Sequence, residues 1–219
     1  MFTGKRALVF DLDGTLIDSG PDIRYALNLL LEEEGRRTVN QDEGNSFIGK
    51  GILNLIKQAF IATGSPIKKQ DEDLFYERYL KLYATNMSRE TLVYPGVFES
   101  LDKWQREGWL MAICTNKAIG LTIPLLENLG LDSYFSVVIG GDSTARRKPW
   151  SDPLDETLRL LAVGHDQAIM VGDSINDIEC AKYADVQSVL VTYGYRTQKA
   201  ESLGADAIID HFADLDHLI

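Results

Sequence analysis

Residues Ala7-Leu8-Val9-Phe10-Asp11-Leu12-Asp13-Gly14-Thr15 decide the fold. Four apolar residues stop abruptly at two carboxylates one residue apart, and a glycine and a threonine follow. An unbroken apolar run of this kind reads as a strand buried on both faces of a parallel sheet. Ligand sites in open α/β sheets lie just beyond the carboxyl ends of strands. Asp11 and Asp13 therefore fall where chemistry is expected. Two close buried anions are costly unless a cation or a shared proton offsets their repulsion. The pair predicts a metal, a shared proton, or both.

On the C-terminal side the chain first turns helical. Ser19 is positioned to cap a helix, with Pro21 in its first turn and Asp22 near the helix dipole. Ile23, Ala26, Leu27, Leu30 and Leu31 follow at helical spacing. A second helical pattern follows Gly49-Lys50-Gly51, and a third carries Leu74, Phe75, Tyr79, Leu82 and Tyr83. No strand pattern appears between Gly20 and about Met87. This block is too long for a simple crossover, so it is expected to be an inserted helical domain over residues 19–90. Residues 1–18 and 91–219 would then form the core. From Gly96 onward helices alternate with apolar runs at 110–114, 136–139, 168–171, 188–191 and 207–209. That alternation predicts an α/β fold with a doubly wound, Rossmann-like parallel sheet.

Several apolar runs end in polar groups. After Asp11 and Asp13 come Thr115-Asn116, then Lys148-Pro149 beyond a loop, then Gly172-Asp173 with Asp177 four residues on. In a parallel sheet these ends share one edge, so residues far apart in sequence converge on one cleft. A carboxylate can attack as a nucleophile, and a second can act as general acid and then base. Carboxylate oxygens suit Mg²⁺. A threonine hydroxyl and free N–H groups can hold phosphoryl oxygens.

The 219 residues carry a net charge of −11. With no basic excess to neutralise phosphates, general nucleic-acid binding is not expected. No apolar run reaches the length of a membrane span, and no signal-peptide core precedes the first strand. A cytoplasmic enzyme with no membrane partner is expected, its oligomeric state open. Cys114 and Cys180 read as buried thiols. His165, His211 and His217 read as surface residues.

Taken together, these motifs resemble the phosphatase branch of the haloacid dehalogenase superfamily. Asp11-Leu12-Asp13-Gly14-Thr15 is similar to its first motif, Thr115 to its second, Lys148 to its third, and Gly172-Asp173 through Asp177 to its fourth. The resemblance implies that Asp11 attacks phosphorus and that Asp13 protonates the leaving oxygen and later activates water. It implies Mg²⁺ held by Asp11, the Asp13 carbonyl and Asp173, with Asp177 in support. Thr115 and the N–H groups from Leu12 onward would hold the phosphoryl group, Asn116 would contact substrate, and Lys148 would pair with the Asp11 region. The helical block is similar to the family's small α-helical cap. Asp13 favours phosphate esters over the family's carbon–halogen substrates, because an alkoxide needs a proton.

Asp18-Ser19, Gly140-Gly141-Asp142-Ser143 and Thr192-Tyr193-Gly194-Tyr195 resemble phosphoglycolate phosphatases most. Trp150-Ser151 and Arg196 depart from that pattern. A small phosphate ester is the expected substrate, 2-phosphoglycolate foremost, with sugar, amino-sugar or nucleotide monophosphates as alternatives. A phosphorylatable signalling module or inactive phosphate-binding domain is the rival from another class. Lys50, between glycines that let backbone come close, is the cap residue placed to meet a substrate carboxylate.

Overall fold

The structure, a computed structural model, describes residues 2–219. Its centre is β1 (Ala7–Phe10), paired in parallel with β4 (Leu110–Cys114) on one side and β6 (Ala168–Gly172) on the other. β5 (Val137–Ile139) extends the sheet beyond β4, and β7 (Gln187–Val191) and β8 (Ala207–Ile209) extend it beyond β6. The strand order is β5-β4-β1-β6-β7-β8, all parallel. The expected doubly wound architecture is present.

Alternation along β1 explains its uninterrupted apolar sequence. Leu8 and Phe10 face a large cluster with Leu101, Trp104 and Phe212. Ala7 and Val9 face the opposite layer with Leu154, Leu158 and Met170. All four β1 residues are fully buried. The Phe10 ring stacks on Trp104 at 6.0 Å between centroids and lies 5.7 Å from Phe212. Burying one such aromatic contributes about 1.5–3 kcal/mol. The layers come from α5 (Val97–Arg106), α6 (Ile119–Leu129), α7 (Asp152–Leu161) and α8 (Ile175–Tyr183).

Between β1 and α5 the chain passes through a two-stranded antiparallel ribbon, β2 (Ile17–Asp18) and β3 (Leu92–Val93). The helical cap lies between these strands: α1 (Gly20–Glu33), α2 (Gln41–Phe47), α3 (Ile52–Thr63) and α4 (Glu72–Ala84). The cap thus holds four helices where apolar spacing predicts three. Helix α2 is polar, and what starts it is a reciprocal cap: Asn40 accepts from the Glu43 N–H while Glu43 accepts from the Asn40 N–H. The cap has its own apolar centre, in which Phe60 meets Phe75 at 4.7 Å and Tyr79 stacks on Tyr83 at 5.9 Å.

Ser19 does not cap α1. It precedes the helix in a helical conformation with no side-chain bond to the helix N–H groups, and its hydroxyl donates to Asp13 Oδ1 at 2.5 Å. Asp22 is buried and accepts from the Glu90 and Thr91 N–H groups and the Thr91 hydroxyl at 2.8–3.1 Å. It fastens the start of the cap to its exit. Among the described residues, no helix is long and apolar enough to cross a membrane.

Candidate active site

Register places the site. Phe10 is level with Ile113 of β4 and Val171 of β6, so Asp11 stands beside Cys114 and Gly172, and Thr115 and Asp173 stand one residue further on. Asp11, Thr115, Lys148, Asp173 and Asp177 are all buried. The chain leaves β1 at a point flanked by crossovers to both sides, where open α/β sheets form their clefts.

Lys148 is the electrostatic centre of the floor. Its ammonium donates to Cys114 O and Asp177 Oδ1, both at 2.6 Å, and lies 3.0 Å from Asp11 Oδ1. Burial alone would lower this lysine, but Asp11 and Asp177 beside it hold it above its usual range. Asp177 is also fixed from its own helix, its Oδ2 accepting from Ser174 N and Oγ at 3.0 and 2.7 Å. Asp173 Oδ2 accepts from Tyr195 N at 2.6 Å. The Tyr195 hydroxyl donates to Asp18 Oδ1 at 2.6 Å and accepts from Gly20 N at 2.7 Å. The stretch Thr192–Tyr195 therefore ties Asp173 to the root of the cap. Gly14, at φ +87°, lets the first loop pass against Asp173: a Cβ there would meet Asp173 Oδ2 at 2.5 Å.

This floor has more carboxylates than one lysine can balance. Asp11, Asp173 and Asp177 each bring a carboxylate oxygen within 4.8 Å of the others. Burial pushes Asp11 up to about 6, against the pull of Lys148 and with added repulsion from Asp177 and Asp13. Burial, then Asp177 and Asp11, raise Asp173 well above the carboxylate range. Asp11 Oδ1 is buried and has no hydrogen-bond partner, with the Lys148 ammonium beside it at 3.0 Å. A buried acceptor in excess negative charge fits an oxygen-seeking divalent cation.

Above the floor a cavity, partly open to solvent, is shared by core and cap. Asp11, Asp13, Thr115 and Asn116 form its core side, and Ile23, Ile48, Ile52, Leu55, Tyr79 and Tyr83 its cap side. The Thr115 hydroxyl accepts from Lys117 N at 3.2 Å, which leaves its own proton available to a ligand. The Asn116 amide donates to Gly49 O of the cap and Lys148 O of the core, both at 3.0 Å. Its Oδ1 is buried without a partner. The Leu12 N–H lies against the Asp11 carboxylate, where it favours the anion. Lys50 is exposed and lines a neighbouring cleft with Asp13, Asp173, Asn176 and Arg196, not the cavity. Trp150 lines neither space: its ring stacks on Tyr183 at 6.0 Å, with Arg146 over it.

Sequence reasoning missed Lys117. Its ammonium contacts Asp13 Oδ1 and Oδ2 at 3.0 and 3.2 Å and donates to the Tyr83 hydroxyl of α4 at 2.7 Å. The available signal was position: it is the third residue beyond the β4 end, next to Thr115-Asn116. Cys114 and Cys180 are buried free thiols and the three histidines are exposed, both as expected.

Comparison with known proteins places this arrangement. The family model described as haloacid dehalogenase-like hydrolase matches residues 8–191. A protein of Agrobacterium fabrum named phosphoglycolate phosphatase is 40% identical over 207 residues, 94% of this chain and 89% of that protein. One of Caulobacter vibrioides with the same name is 36% identical, covering 95% and 88%. A crystal structure from Haemophilus somnus, described as a predicted phosphoglycolate phosphatase, superposes with a TM-score of 0.93 at 29% identity, covering 100% of this chain and 99% of that one. The matched span runs from β1 to β7 and so takes in the whole carboxylate floor and the inserted helices. On that match, and on the likeness in fold, this chain belongs to the haloacid dehalogenase-like hydrolases.

Proposed function

We propose that the protein is a Mg²⁺-dependent phosphomonoesterase that works through a phospho-aspartate and acts on 2-phosphoglycolate. One observation carries the reading: Asp11, whose buried Oδ1 has Lys148 beside it but no hydrogen-bond partner, and Asp13 line the same cavity. The substrate comes from the relatives, which are named phosphoglycolate phosphatase at 34–40% identity. Residues 1–18 and 91–219 would be the catalytic core and residues 19–90 the cap.

Asp11 attacks phosphorus, its carboxylate kept ionised by Lys148 and the Leu12 N–H. As the phosphorus–oxygen bond of the ester breaks, Asp13 gives a proton to the departing alkoxide. Ionised Asp13 then takes a proton from water, whose hydroxide attacks phosphorus and releases Asp11 and phosphate. Thr115 donates to a phosphoryl oxygen throughout, with the N–H groups after Asp11. Mg²⁺ would be held by Asp11, the Asp13 carbonyl and Asp173, with Asp177 behind them, and would supply charge neutralisation for the transferring group. Closure of the cap over the core would exclude bulk water from the cavity.

Phosphate release with Mg²⁺ from a panel of 2-phosphoglycolate, sugar phosphates, amino-sugar phosphates and nucleotides tests the reading. 2-Phosphoglycolate should rank first by kcat/KM, and Asp11→Asn should abolish turnover. A poor rank ends the substrate assignment alone, full activity of the variant ends the mechanism, and stoichiometric labelling without release favours a signalling domain.

A further inference from the structure

The cavity contains an unusual cation. Lys117 is the only cationic side chain lining it among the described residues, and its side chain is 5% exposed. Lys148 belongs to the floor but does not line the cavity, and Lys50 and Arg196 line the neighbouring cleft. The Lys117 ammonium is held by Asp13 and the Tyr83 hydroxyl, with the Tyr83 ring centroid 4.5 Å away. The remaining cap wall carries no charge: it is aliphatic and aromatic, with Ile23, Phe47, Ile48, Ile52, Leu55 and Tyr79.

Accepting the phosphatase reading above, we propose that Lys117 determines leaving-group specificity by binding a carboxylate carried one carbon from the ester oxygen. To serve the leaving oxygen, Asp13 must turn its carboxyl from Lys117 toward the ester. A buried ammonium released in this way keeps only the hydroxyl and ring of Tyr83, neither of them charged, and a buried charge without its counter-ion is costly. A substrate bearing its own carboxylate restores the pair, whereas a neutral alcohol leaves the ammonium facing a wall without a counter-ion. Reach sets the size class. Lys117 stands 3.0 Å from Asp13 Oδ1, so an anion on Lys117 lies within about two hydrogen-bond lengths of the group that meets the ester oxygen. A carboxylate one methylene from that oxygen spans the gap. The remote acid of a longer substrate meets it only by folding back. A compact point charge that can change partners is what lysine provides here.

The probes are 2-phosphoglycolate and 2-hydroxyethyl phosphate, which differ by a carboxylate against a neutral hydroxymethyl group. Turnover is measured in wild type and Lys117→Met. Binding is measured by calorimetry with Mg²⁺ in the same two proteins, each also carrying Asp11→Asn. Wild type should favour phosphoglycolate. Lys117→Met should reduce kcat/KM for phosphoglycolate at least ~30-fold more than for hydroxyethyl phosphate, with a matching loss of binding selectivity. If both substrates suffer equally, Lys117 only holds Asp13, and the inference is overturned while the phosphatase reading stands. If neither ester is turned over yet binding still needs the carboxylate and Lys117, the phosphatase reading fails for these esters and leaving-group specificity falls with it, leaving Lys117 as a carboxylate-binding residue alone. No preference in wild type, in turnover or binding, overturns the inference whether or not the variant folds.

Discussion

The edge of the sheet and the underside of the cap face one cavity but are built on different physics. The edge is ionic and buried: Lys148, Asp11, Asp173 and Asp177 each meet a backbone group or another charge. The underside is aliphatic and aromatic, and few polar atoms join it to the core. Gly49 O accepts from Asn116 and Asn176 at 3.0 and 3.1 Å, and the Tyr83 hydroxyl accepts from Lys117. A reaction on a dianionic ester needs charges held in place, since preorganised groups need not reorganise as charge develops. Choice among alcohols needs a surface that approaches and withdraws. The ionic region should therefore respond to substitution in all-or-none fashion, and the cap in graded fashion.

The largest effect is expected at the edge. Lys148→Met removes the one ammonium among the buried carboxylates and should destabilise the metal-free protein by roughly 3–5 kcal/mol, read from urea unfolding, with activity lost on every ester. A loss on one ester alone would erase the distinction between the two regions.

Next comes metal removal. Asp11 has its pKa raised to about 6 from 3.8. A carboxyl with a raised folded pKa binds more protons folded than unfolded, so its contribution to stability falls as pH rises between those values. In EDTA the melting temperature should decline from about pH 4 to pH 6–7, and Mg²⁺ should reverse the decline at the upper end by binding the ionised carboxylates. The same slope with and without Mg²⁺ would mean that the acidic cluster holds no cation.

A smaller effect is expected where the regions touch. Tyr83→Phe deletes one bond to a charged partner, a change of about 1.5–3 kcal/mol at most. It should raise KM for phosphoglycolate several-fold more than it lowers kcat, measured by initial rates. The smallest belongs to the outer cap. Arg37 and Glu43 pair on the surface, with Glu43 held down at about 2 by the Arg37 side chain and the Asn40 N–H. Glu43→Gln keeps the capping arrangement and loses only a solvated ion pair. Activity and melting temperature should be unchanged, and a measurable loss of turnover would show that the cap surface communicates with the sheet edge.

The two regions also differed in how far the sequence disclosed them. Asp11, Thr115 and Asp173 are found because a parallel sheet turns distant strand ends into neighbours, and apolar runs mark those ends; Lys148, in the loop beyond β5, is found through the family resemblance. Lys117 is marked only by its place beside Thr115-Asn116; its partners come from two other elements, Asp13 from the loop after β1 and Tyr83 from α4 of the cap. Ser19 has the chemistry of a helix cap, and only the proximity of Asp13 decides where its hydroxyl goes. The ribbon β2–β3 is two residues wide, too short for any alternation to show. Helix α2 was legible in part, since Asn40 and Glu43 stand at capping-box spacing ahead of a segment with no apolar stripe.

That narrow ribbon has a consequence for the chain as a polymer. Ile17 pairs with Val93 and Asp18 with Leu92, so the segment that departs for the cap returns to the point it left. The excursion is a loop with closed ends, and the cost of closing a loop grows only slowly with its length. The sheet's register is therefore indifferent to what lies between those pairs. Helices can lengthen, shorten or change sequence there without shifting Asp11 relative to Thr115 or Asp173, so the substrate-facing half of the cavity can be rewritten while the reacting half stays the same.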